Sequence, residues 1–156
     1  MKALVTGGKG FIGSHLIERL LNDGHKVVCL DLEKASNRNI ARFLSSPAEF
    51  SLFVMDVDIR EAAAHETVLR LLSTFGIEAI FHLAGLADIV PSINNPREYF
   101  QTNVLGTLNV LEAARQYGKI EKFVYASSSS IYGIPEFFNI PTSENTPIKP
   151  QYPYAE

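Results

Sequence analysis

The 156-residue sequence is 46% apolar and 20% charged, with a formal net charge of −3, a balance that excludes a disordered or fibrous chain and suffices for one core. Acidic and basic residues are interspersed, so the clustered Lys and Arg of a nucleic-acid partner are not found. The N-terminal MKALVTGG breaks its apolar run at Thr6, too soon for a signal core or a membrane span, so the expectation is a cytoplasmic protein with no membrane partner.

Short β-branched or aromatic runs alternate with helical patterns along the chain. KALVT (2–6), KVVCLD (26–31), FSLFVMD (50–56), EAIFHLA (78–84) and EKFVYAS (121–127) read as strands buried on both faces. Cys29, the single cysteine, lies in the second run and serves as a small buried hydrophobe.

Helical spacing appears from Gly10 or Phe11 to Asn22, with Gly24 as its stop, more weakly over 36–45, and over 61–76 ending at Gly76. A longer pattern starts with Asn95 as N-cap and Pro96 at the first helical position and runs to Gly118. Strand and helix repeated in this way give an α/β, doubly wound parallel sheet of about five strands, a Rossmann-type domain over 1–133. From Gly133 onward closely spaced prolines predict a long irregular loop over 134–156.

In VTGGKGFIGS, Gly7, Gly10 and Gly13 follow the first strand and open the first helix, with Asp31 at the end of the second strand. This is the context of a dinucleotide site: a tight turn, close approach to a pyrophosphate, close helix packing, and an acid for the ribose hydroxyls. Asp31 would repel a 2′-phosphate, so NAD is expected rather than NADP, although Lys34 and Arg38 follow nearby. Lys9 does not make this a nucleoside-triphosphate loop, because no lysine stands between Gly13 and Ser14. His15, His25 and His65 lack metal-ligand spacing and no metal site is expected; His82 reads as a packed strand-end histidine.

The turn has the pattern TGxxGxxG, and MDVDIRE (55–61), FHLAGLAD (81–88), TNVLGT (102–107) and SSSSIYG (127–133) accompany it. Together these motifs resemble the extended short-chain dehydrogenases/reductases, in their NAD-dependent nucleotide-sugar epimerase/dehydratase branch. The resemblance implies cofactor contacts at Gly7, Gly10, Phe11, Ile12 and Gly13 in the turn, at Asp31, at Asp58 and Ile59 on the adenine, and at Leu83, Ala84 and Gly85 beside the nicotinamide riboside. Asn103 corresponds to an asparagine that steadies the framework. Ala87 stands where the family often has a lysine, which puts one cofactor contact in doubt.

The resemblance also implies a catalytic Ser128, with Ser127 and Ser129 as neighbours, and a catalytic base at Tyr154. The partner lysine would be residue 158, past the last residue. The expectation is therefore the NAD-binding portion of a 4-epimerase-like enzyme for a nucleotide-sugar substrate, shortened and inactive by itself. Ser129 and Ser130 occupy positions where dehydratases carry an Asp-Glu pair, which disfavours elimination. A reductase, decarboxylase or dehydratase of the branch is the alternative. So is a non-catalytic NAD-binding or assembly module, a homo-oligomer formed at the open edge of the fifth strand.

Overall fold

The computed structural model describes residues 1–44, 51–134 and 141–156. Five strands, β1 (Lys2–Thr6), β2 (Lys26–Asp31), β3 (Leu52–Asp56), β4 (Ala79–His82) and β5 (Lys122–Tyr125), form one parallel sheet in the order β3-β2-β1-β4-β5. The order reverses at β1, and the crevice at the carboxyl ends of β1 and β4 is where open parallel sheets bind ligands.

Alternation along the strands builds a core on each face. Ala3, Val5, Val27 and Cys29 point to α1 (Phe11–Asn22), whose Ile17 and Leu20 cover them together with Ile40. Leu4, Val28, Leu30 and Ile80 point to the other side and meet Val68, Leu71 and Leu72 of α3 (Ala64–Phe75) with Val110 and Ala113. Burial pushes the Cys29 thiol up to about 12, with the nearby Asp31 adding to the effect, so this sulfur is an inert packing atom.

Three expectations need correction. The weak helix over 36–45 is a 3₁₀ turn (Asn37–Asn39) followed by α2 (Ala41–Leu44), and residue 45 lies outside the described residues. A short helix, α4 (Ile89–Asn94), precedes the long one despite Pro91. Asn95 does stand at the N-cap with Pro96 opening the helix, but its side chain makes no capping bond to the backbone; its Nδ2 donates instead to Glu98 Oε2 at 2.8 Å.

From Asn95 onward, α5 (Pro96–Tyr99) passes through a π-helical stretch (Phe100–Gly106) into α6 (Thr107–Tyr117) without a break. β5, expected to be buried on both faces, is mostly exposed, with Val124 and Tyr125 about half accessible. It pairs only with β4 among the described residues. Among those residues no helix is long and apolar enough to cross a membrane.

Candidate active site

Two adjoining cavities lie over the carboxyl ends of the strands. One, of about 390 Å³, runs from Gly7 and Gly10 to Asp31, Asp58 and Thr102; the other, of about 940 Å³, runs from the same glycines to Asn103, Ser128 and Tyr154. Both reach Leu83, Ala84 and Gly85, so the turn after β4 forms the saddle between them.

The glycine turn is shaped by what surrounds it. Gly7 has φ +69°, and a Cβ there would also lie 2.8 Å from the Leu83–Ala84 backbone. A Cβ on Gly13 would stand 2.3 Å from the Gly7 carbonyl oxygen. Both positions are closed to any larger residue, which brings β1, α1 and the β4 turn together as a bare backbone cradle. The N–H groups of Phe11, Ile12 and Gly13 open α1 and have no intrahelical acceptor, so they present a positive helix end to an anion. The side chains of Phe11 and Ile12 are 78% and 65% exposed on the rim. A requirement that the spacing of the motif did not reveal falls on Gly8, where a Cβ would meet Cys29 Sγ at 2.5 Å.

Asp31 ends β2 with each carboxylate oxygen taking one backbone N–H, from Lys9 (2.8 Å) and from Leu32 (2.8 Å). The remaining lone pairs are left to other donors. Asp58 accepts from the N–H and guanidinium of Arg60, and Arg60 reaches on to Glu98 at 3.5 Å. The hydrogen bond from Arg60 holds the Asp58 carboxyl below its ordinary range. Ile59 is 4% exposed, its side chain closing over Gly106 in the core, so it can offer the cavity little beyond its backbone. Thr102 was not foreseen: its buried Oγ1 finds no hydrogen-bond partner among the described residues, and it lines the smaller cavity.

The saddle is held from beneath. Asn103 clamps Leu86 by accepting from its N–H at 2.8 Å and donating to its carbonyl at 2.9 Å, which ties the turn after β4 to the long helix. Thr6 Oγ1 accepts the N–H groups of Leu83 and Ala84, both at 3.2 Å, and so must direct its own proton to His82 Nδ1, 2.8 Å away. His82 Nε2 then donates to Thr107 Oγ1 at 2.9 Å. Burial lowers the pKa of this ring to about 4, in keeping with a neutral, packed histidine.

Ser128 caps the 3₁₀ turn Ser129–Tyr132, accepting from Ser130 N–H at 3.2 Å and donating to Ser130 Oγ at 3.1 Å. Tyr154 is half-buried; its N–H donates to Ser92 Oγ at 3.3 Å, and its ring stands edge-on to buried Tyr99. Ser127, Ser128 and Tyr154 thus line one cavity, while residues 135–140 between them in sequence lie outside the described residues.

A family model described as GDP-mannose 4,6 dehydratase matches residues 4–156. The chain belongs to this epimerase/dehydratase family of extended short-chain dehydrogenases/reductases. It is 39% identical to a UDP-glucose 4-epimerase of Klebsiella pneumoniae over 85% of the chain and 93% of that sequence. It is 43% identical to the Mycolicibacterium smegmatis UDP-glucose 4-epimerase, covering 99% of the chain and 47% of that protein. The Thermus thermophilus UDP-glucose 4-epimerase, solved in complex with NAD, superposes with a TM-score of 0.82 at 40% identity, covering 99% of this chain and 46% of the other. The chain spans about half the length of these last two family members.

Proposed function

We propose that this chain is the NAD-binding portion of a nucleotide-sugar 4-epimerase that acts on a UDP-sugar in the cytoplasm. The observation that carries the proposal is that the glycine cradle, Ser128 and Tyr154 all line one cleft. The residues fit a dinucleotide: a cradle that any Cβ would fill, free N–H groups at a helix start, and a strand-end acid. Gly7, Gly10, Phe11, Ile12 and Gly13 would take the pyrophosphate, Asp31 the adenosine ribose, Asp58 and Ile59 the adenine, and Leu83, Ala84 and Gly85 the nicotinamide riboside.

NAD, when bound, supplies the acceptor and later the donor of hydride. Tyr154 would take the proton of the sugar hydroxyl when that carbon is oxidised and return it when the carbon is reduced on its other face. Ser128 Oγ holds that sugar oxygen, so its bond to Ser130 must yield on binding. Ser129 and Ser130 offer hydroxyls rather than carboxyls, which leaves elimination without an acid and favours epimerisation over dehydration. The segment 141–156 brings Tyr154 to the cavity.

Two measurements test this. Calorimetric titration with NAD should show binding, and a folded sample that binds none sinks the proposal. In the full-length enzyme, Tyr154→Phe should keep NAD affinity and lose at least about 100-fold in UDP-sugar epimerisation; retained turnover would remove Tyr154 from the base role.

A further inference from the structure

Lys9 sits in the glycine turn yet is only 4% exposed. Its Nζ donates to Asp56 Oδ1 at 2.7 Å and to the Leu32 carbonyl at 3.0 Å. Its N–H donates to Asp31, and its carbonyl accepts from Asn39 Nδ2 at 2.9 Å. The turn is thereby fastened to the ends of β2 and β3 and to the 3₁₀ turn behind them.

Asp31 and Asp56 are register partners on adjacent strands, whose backbones run about 5 Å apart. Two carboxylates so placed repel one another. The ammonium of Lys9, bonded to Asp56, offsets that repulsion and leaves the trio with a net negative charge. The other cations lining the same cavity are exposed Lys34 and Arg60, and Arg60 is tied to Asp58.

We propose that Lys9 is a specificity-determining residue for the cofactor: its ammonium, bonded to Asp56, offsets that carboxylate beside Asp31 and keeps its own charge away from a 2′-phosphate. This rests on the NAD reading above. Any residue at position 9 would keep the two backbone bonds, so a substitution there tests the ammonium alone.

The experiment titrates the protein, Lys9→Met and Asp56→Asn with NAD and with NADP at low salt, each variant first checked for folding by circular dichroism. Asp56→Asn removes the charge that holds the ammonium, leaving its positive charge uncompensated, and should improve NADP relative to NAD by about 10-fold. Lys9→Met leaves Asp56 without its counter-ion beside Asp31 and should weaken NAD about 10-fold while moving the NADP-to-NAD ratio the opposite way. A merely structural role would weaken both nucleotides alike and leave the ratio still. An unmoved ratio in both variants, or movement in the same direction, overturns the inference while the NAD reading stands. A folded wild type that binds neither nucleotide overturns both. If Lys9→Met does not fold, Asp56→Asn carries the test, since the Asp56 side chain is 50% exposed.

Discussion

At the adenosine end of the groove three charged side chains are already committed: Lys9 to Asp56, Asp31 to two backbone N–H groups, Asp58 to Arg60. At the end that holds Ser128 and Tyr154, Ser128 bonds within its own turn, and the rim is made of exposed Phe11, Ile12 and Tyr125. The first end is organised by the strands themselves and needs little rearrangement to receive a ligand. The second holds its reactive groups on a turn and a loop, where a ligand must exchange bonds to engage them. Recognition of the nucleotide is thus built into the sheet, and chemistry is attached to its margin.

The strongest way to break that contrast is to fill the cradle. Gly13→Val would push carbon into the Gly7 carbonyl and should cost more than about 100-fold in NAD affinity by calorimetry; survival of binding would mean the cradle is not preformed. Next is the saddle between the ends, through the pH dependence of His82. Its pKa falls from the ordinary 6.5 to about 4 in the folded chain. Above pH 6.5 its contribution to stability is full. As the pH drops below 6.5 the unfolded chain takes a proton that the buried ring refuses, so urea unfolding should show a loss of up to about 3 kcal/mol by pH 4. His82→Gln should flatten that slope.

A smaller effect is expected at the clamp. Asn103→Ala removes two bonds to Leu86 and should cost about 2 kcal/mol in urea unfolding at pH 7, with a weaker loss in NAD affinity. The smallest sharpens the contrast from the other side. Ser128→Ala should change NAD affinity by less than about twofold, because its hydroxyl serves the margin; a larger loss would place Ser128 in the cofactor site.

The sheet, the glycine turn and the site at the strand ends were legible because each follows from short-range pattern: apolar runs of strand length, glycines at fixed spacing, an acid at a strand end. What escaped depends on distance. Lys9 could be excluded from a triphosphate loop by its neighbours, but its partners Leu32 and Asp56 become adjacent only when β2 and β3 pair. Ile59 lies under Gly106 for the same reason. The exposure of β5 could not be read either, since its apolar residues look like those of a central strand while among the described residues it pairs only with β4. Asn95 met the composition of an N-cap, yet the proximity of Glu98 drew its amide elsewhere.

The π-helical stretch from Phe100 to Gly106 bears on how this helix tolerates changes in length. Bonds from i to i+5 enclose one residue more per turn than those of an α-helix. The surplus residue is housed between two fixed points: Tyr99, packed against Tyr154, and Thr107, bonded to His82. A single-residue deletion inside the stretch can revert to α-helical bonding while both anchors keep their places, and it would be felt at the Asn103 clamp. The same deletion after Thr107 would turn the face that covers α3. The helix therefore carries its tolerance for insertion and deletion at the site, and its intolerance in the core.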